Sequence, residues 1–259
     1  MRLVRHVLVA GLAVLLAQPL RAGVVNIELA LLVDVSGSVD ANEFDLQMQG
    51  YANAFRSTEI QNLIVGNAAY GGVAVNMVLW SDSNRQSQVI DWTLLTTPQD
   101  ADNFATLIES VSRPYTGGTA PGSAIHFATT SNIAGVSIFN NGFTGNTLIV
   151  DVSGDGEQNR GINTSSARNA ALSAGVDRIN GLAIGGQSLV TWYKNNVQGG
   201  DGSFTIQANT FQDFEDAIKQ KLRIELQSSP VPEPSSAAVF LGLTGLALLR
   251  LRRRRNSSR

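Results

Sequence analysis

In Ile27-Glu28-Leu29-Ala30-Leu31-Leu32-Val33-Asp34-Val35-Ser36-Gly37-Ser38 an almost wholly apolar run ends in one acid and two hydroxyls, just before a helix-like segment. A short apolar run bounded by turn residues reads as a buried strand. Residues 27–33 are therefore expected as a strand, with Asp34, Ser36 and Ser38 emerging together at its end. Alternate residues of an extended backbone point the same way, which gathers the carboxylate and both hydroxyls on one side of the loop. Hard divalent cations take oxygen ligands, and Mg2+ in particular wants near-octahedral geometry with few charged groups. A D-x-S-x-S loop meets that need. The competing reading is a polar turn in which Ser38 or Asp40 caps the next helix.

Two later segments add the same chemistry. Tyr115-Thr116-Gly117-Gly118-Thr119-Ala120-Pro121 is a Gly-rich loop that offers Thr119 beside a helix start, with Pro121 near its first turn. Asp151-Val152-Ser153-Gly154-Asp155-Gly156-Glu157 follows the apolar residues 148–150 and again brings acid to a strand end. Together, D-x-S-x-S, G-G-T and a strand ending in D-G resemble the metal-ion-dependent adhesion site of von Willebrand factor type A domains, over residues 27–225. The resemblance implies a Mg2+ site, with Mn2+ or Ca2+ as substitutes, whose ligands are Asp34, Ser36, Ser38, Thr119 and Asp155, the acids acting directly or through water. The family reads T-D-G where this chain has S-G-D-G. Asp155 is the ligand chosen because it precedes Gly156 at the expected strand exit, whereas Asp151 lies inside the apolar run. More narrowly, the chain is similar to exported bacterial type A domains.

Strand-like and helix-like patterns alternate along residues 23–229, the sign of a sheet with helices on both faces. The expectation is an α/β, doubly wound, mostly parallel six-stranded sheet. Strands are read at 27–33, 73–80, 88–92, 147–152, 178–184 and 203–206. Helices are read at 41–55, 98–111, 121–131, 164–174, 189–195 and 211–226. The first helix carries a capping box, Asp40 with Glu43 three residues on. Ligands of doubly wound sheets bind beyond the carboxyl ends of the strands where strand order reverses. The first and fourth strands would flank that point, and Asp34 and Asp155 leave those two strands.

The ends read as addresses. Residues 1–22 hold Arg2 and Arg5, an apolar stretch and the small Ala22, the order of a secretory signal. Residues 230–259 hold Pro232-Glu233-Pro234, an apolar segment over 237–251 and the Arg252–Arg255 cluster. Basic flanks stay in the cytoplasm, which would leave the preceding domain outside. That order resembles the PEP-CTERM sorting signal of Gram-negative bacteria. The resemblance implies exosortase as a processing partner, transient inner-membrane anchorage and a final place in the envelope or outside the cell.

Composition excludes several classes. The whole chain has a formal charge of −2, but residues 23–229 hold ten basic and twenty acidic residues, about −10. Nucleic acid is therefore not an expected partner, since its backbone demands a basic surface. With no cysteine there are no disulfides, zinc-thiolate sites or cysteine nucleophiles. Asp151-x-Ser153-x-Asp155-Gly156 opens like an EF-hand loop, but its twelfth position is Ile162, where a bidentate Glu is required. Hydrolase chemistry has only His126 or Glu157 to offer as a base, since His6 leaves with the signal. Trp80 and Trp92 read as core or rim packing, and Trp192-Tyr193 as an exposed aromatic pair suited to stacking.

The function expected from these readings is a non-enzymatic, metal-dependent adhesion-type module that engages an Asp or Glu on a protein partner. The alternatives are a structural envelope or matrix protein without metal-dependent ligand binding, and a metal-dependent hydrolase.

Overall fold

A computed structural model describes residues 23–227, except 131 and 133. The signal-like and sorting-signal-like ends read above lie outside the described residues. Among the described residues no helix is long and apolar enough to cross a membrane.

The elements follow in the order β1 (Gly23–Asp34), α1 (Ala41–Arg56), α2 (Thr58–Ala68), β2 (Val73–Trp80), β3 (Gln86–Leu95), α3 (Pro98–Glu109), α4 (Pro121–Thr130), β4 (Phe143–Gly154), α5 (Thr164–Ala174), β5 (Arg178–Ile184), α6 (Gln187–Asn196), β6 (Gly199–Gly200), β7 (Thr205–Ala208) and α7 (Phe214–Leu226). The sheet order is β3-β2-β1-β4-β5, and both β6 and β7 pair with β5. β1 is parallel to β2 and to β4, β5 is parallel to β4 and to β7, and only β3 and β6 run antiparallel. The doubly wound α/β class expected from the alternating pattern is the observed one. The chain leaves β1 for β2 on one side and returns to β4 on the other, so strand order reverses between β1 and β4.

The period-two rule explains the two cores. Along β1, Ile27, Leu29, Leu31 and Val33 face a layer built by α1, α2, α3 and α7. Ala30 and Leu32 of the same strand face the layer of α4, α5 and α6. A strand covered on both faces needs apolar residues at every position, which is why β1 reads as a nearly continuous run.

Boundaries differ from expectation where packing and local pattern part. α2 was not expected: only Ile60, Ile64 and Asn67 are buried on it, too few to print an amphipathic period. Its start is nevertheless capped by the Ser57 hydroxyl, which accepts from the Ile60 N–H. The short β6 makes the sheet seven-stranded, and the last strand lies at Thr205–Ala208, two residues beyond the expected position. The expected helix 211–226 opens with a 3-10 turn at Phe211–Asp213 before α7 begins. The Asp40–Glu43 capping box is present, with the Glu43 N–H donating to Asp40 Oδ1 at 2.9 Å and the Asp40 N–H to Glu43 Oε2 at 2.8 Å.

One charged cluster is buried between α7 and the sheet. The Lys221 ammonium lies 2.5 Å from Asp151 Oδ1 and 2.9 Å from Glu225 Oε1, and all three side chains are buried. Asn180 of β5 donates to Glu225 at 2.8 Å. Two carboxylates share one cation, so burial and the neighbouring Glu225 outweigh Lys221 and push the Asp151 carboxyl up to about 7.

Candidate metal centre

Asp34 ends β1 with its side chain fully buried. Its Oδ1 accepts from the Ser36 N–H at 2.7 Å, an Asx turn that folds the loop back over the carboxylate. Its Oδ2 is buried without a hydrogen-bond partner. Gln47 of α1 donates to the Asp34 carbonyl at 3.1 Å and Arg113 donates to the carbonyls of Val35 and Ser36 at 2.9 and 2.6 Å, which fixes the loop from two sides. The Ser36 hydroxyl, itself buried, lies 3.2 Å from that of Ser38, and Ser38 donates to Asp155 Oδ1 at 2.7 Å. Asp34, Ser36, Ser38 and Asp155 thus form one chain of oxygens between the ends of β1 and β4.

Thr119 closes the group from the second loop. Gly37 donates to the Gly117 carbonyl at 2.8 Å and Ala120 to the Ser81 carbonyl at 2.9 Å, which seats this loop against the first. Asn159 clamps Thr119 in both directions: its Oδ1 accepts from the Thr119 N–H at 2.9 Å, and its own N–H donates to the Thr119 carbonyl at 2.9 Å. A Cβ at Gly156 would meet Thr119 Cγ2 at 3.3 Å and Oγ1 at 3.4 Å, so the hydroxyl lies against the residue after Asp155. The structure therefore links Asp34, Ser36, Ser38 and Asp155 in one group and sets Thr119 against Gly156, the residue after Asp155.

Glycine is required at position 154. A Cβ there would fall 2.6 Å from the Tyr193 hydroxyl and 2.7 Å from Asp34 Oδ2. The S-G-D-G departure from the family pattern is thus a packing need: the backbone of β4 passes flush against the Asp34 carboxylate. Asp151, within β4, points away into the Lys221 cluster.

Burial and the mutual repulsion of neighbouring acids set the electrostatics of the site. Burial raises the Asp34 carboxyl to about 7, with the nearby Asp155 charge adding to the rise and hydrogen bonds from Ser36 opposing it. Burial also raises Asp155, and Glu43 adds repulsion. Among the described residues no three His, Cys, Asp or Glu cluster as a metal group. The donors are two carboxylates and three hydroxyls, all hard oxygens, and one of the carboxylate oxygens is buried without a partner. That set fits a hard divalent cation.

Sequence reasoning missed several residues that shape the centre. Tyr193 was expected to be exposed beside Trp192; it is fully buried, its hydroxyl lacks a partner, and burial together with the Asp34 and Asp155 charges raises its pKa well above the usual value. Trp192 is half-buried and packs edge-on against that ring, with centroids 5.6 Å apart. Trp80 is in the core, and Trp92 donates to the Val136 carbonyl at 3.1 Å. His126 and Glu157 are exposed, and among the described residues neither side chain bonds to a member of the centre.

Comparison with solved structures gives the same architecture. Proximal thread matrix protein 1 from the mussel byssus superposes with a TM-score of 0.56 at 14% identity, over 79% of this chain and 47% of that one. A second structure of that mussel protein, with a zinc-occupied MIDAS motif, gives 0.52 at 16% identity, over 76% and 46%. The pilus adhesin SpaC from Lactobacillus rhamnosus GG gives 0.54 at 13% identity, over 78% and 30%. The chain spans less than half the length of these proteins, and identities this low establish the fold alone, which is von Willebrand factor A-like. No curated protein matches the sequence. A family model described as "Protein of unknown function (DUF1194)" matches residues 24–230.

Proposed function

We propose that this chain, which belongs to the DUF1194 family, is a non-enzymatic binding module that holds a divalent cation and offers it to a carboxylate of a protein partner. The observation that carries the reading is Asp34 Oδ2, a buried carboxylate oxygen without a partner, beside the hydroxyls of Ser36 and Ser38 and the carboxylate of Asp155. Asp34, Ser36, Ser38, Thr119 and Asp155 would hold the ion, Mg2+ by preference, with Mn2+ or Ca2+ as substitutes. A bound cation supplies Lewis acidity toward an incoming anionic oxygen, little of it quenched because only two carboxylates contribute. The chain's own groups do the rest. Gln47, Arg113 and Asn159 fix the two loops, and Ser38 holds Asp155 in place. The starts of α1 and α4, which follow the two loops, add a field favourable to a carboxylate.

The zinc-occupied MIDAS of the mussel protein supports a cation in this architecture, and the matrix and adhesin neighbours support binding over catalysis. The exposure of His126 and Glu157 points the same way. Export to the envelope or beyond, through residues 1–22 and with residues 230–259 as a sorting tail, completes the proposal.

Calorimetric titration of Mg2+, Mn2+ and Ca2+ into the full chain in detergent, beside Asp34→Asn, tests it. Saturable one-site binding that the variant loses is expected. A folded chain that binds none of the three would leave a structural matrix role instead.

A further inference from the structure

A polar groove of about 490 Å³ adjoins the candidate centre, lined by Ser83, Gln158, Asn159, Arg160 and Gly161. It is continuous with the Thr119 loop: the N–H groups of Asn159 and Arg160 donate to the Thr119 carbonyl at 2.9 and 3.2 Å. The Arg160 side chain lies across Gly118, where a Cβ would come within 2.3 Å of Arg160 Cγ. Position 118 therefore gives up a side chain so that this arginine can lie next to Thr119.

Three guanidinium groups surround the loops. Arg113 is tied to the carbonyls of Val35 and Ser36, and Arg85 to the carbonyl of Thr116. The Arg160 side chain is exposed and its guanidinium makes no hydrogen bond to a described residue; its charge acts on the nearby Asp82, which already accepts from the N–H groups of Ser83 and Gly118. The carboxamides are committed internally, Asn159 to Thr119 and Gln158 to Thr164. The groove's free polar group is thus a guanidinium.

We propose that Arg160 is the second anchor of the ligand, which is an acidic polypeptide segment placing one carboxylate at the cation and a neighbouring carboxylate on the Arg160 guanidinium. This rests on the cation-binding reading above. The planar fork of arginine matches a carboxylate bidentately, which a lysine does not. Residues 23–229 carry a formal charge of about −10, so a second carboxylate is repelled unless a local cation receives it. None of the lining residues is aromatic, so sugar rings find no face to stack on, and an acidic polypeptide is favoured over an acidic polysaccharide.

The test uses the full chain in detergent at saturating Mg2+, with labelled poly-L-glutamate and labelled polygalacturonate followed by fluorescence anisotropy, and Mg2+ affinity measured separately. Arg160→Ala is expected to weaken poly-L-glutamate binding by about tenfold, the scale of one well-placed charge-assisted pair, while leaving Mg2+ affinity unchanged. Arg160→Lys recovers part of the loss. Equal poly-L-glutamate binding by wild type and Arg160→Ala overturns the inference. So does a chain that binds Mg2+ but no poly-L-glutamate, or one in which polygalacturonate binds more tightly and is the ligand Arg160→Ala loses. Failure of the wild type to bind Mg2+ overturns the cation reading itself and is told apart by the separate titration.

Discussion

At the scale of single residues, Asp34 sets the pH behaviour. Its carboxyl is raised to about 7 in the folded chain, against an ordinary value near 4 when unfolded, so the folded state holds that proton more tightly. Its contribution to stability is full at acid pH and is lost as pH rises from about 4 through about 7. In chelator at pH 8, Asp34→Asn is therefore expected to be more stable than wild type by a few kcal/mol (order ~2–4), and not at pH 4, as urea melts at the two pH values would show. Because protons compete with the cation for the same carboxylate, Mg2+ affinity should fall as pH drops below about 7 and level off above it, which titrations from pH 5.5 to 8.5 would record. A second prediction concerns Gly154. Its Cβ would collide with Asp34 Oδ2 and the Tyr193 hydroxyl, so Gly154→Ala should cost about 1–3 kcal/mol and abolish cation binding, read by thermal melts and calorimetry. Asp34, Ser36 and Ser38 were legible in sequence because they lie in a short motif at a strand end, and Thr119 because it lies in a Gly-rich loop beside a helix start. Tyr193 and Arg113 were not, since tertiary packing alone carries the α6 ring and an arginine of the loop after α3 to the first loop.

Among the elements, β4 and α7 show why one acid reaches the Ser38 loop and another does not. β4 runs to Gly154, so Asp155 is the first residue free to turn toward Ser38, and Asp151 stays within the strand under α7. Position along the chain separated the two acids in sequence: Asp155 precedes Gly156 at the strand exit, whereas Asp151 lies inside the apolar run. The partner of Asp151 was not readable, because Lys221 lies on a helix that reads simply as amphipathic. Removing the cation from a buried cluster leaves uncompensated charge. Lys221→Met is expected to cost about 3–5 kcal/mol at pH 8, and less at pH 5 where a carboxyl takes up a proton, as denaturant titrations at both values would show. α2 illustrates the opposite limit. Two buried isoleucines one turn apart give no legible period, and the helix rests on its Ser57 cap and on packing against α7 and α3.

At the scale of the whole molecule, the sheet places the site. Reversal of strand order between β1 and β4 leaves a gap at their carboxyl ends, and the three loops carrying Asp34, Thr119 and Asp155 converge on it. The fold class was readable because both-face burial forces continuous apolar strands while the intervening helices keep a helical period. The extra edge strand was not, because Gly199–Gly200 carries no strand signal of its own. On the proposed function, this convergence holds a divalent cation on five named residues. Diffraction from crystals grown with Mn2+, collected where manganese scatters anomalously, tests it most directly. One anomalous peak is expected within about 2–2.5 Å of oxygens drawn from Asp34, Ser36, Ser38, Thr119 and Asp155, the remaining contacts passing through water. A peak centred on Asp151, or no peak beside Ser36 and Ser38 in crystals that hold Mn2+ elsewhere, would contradict it.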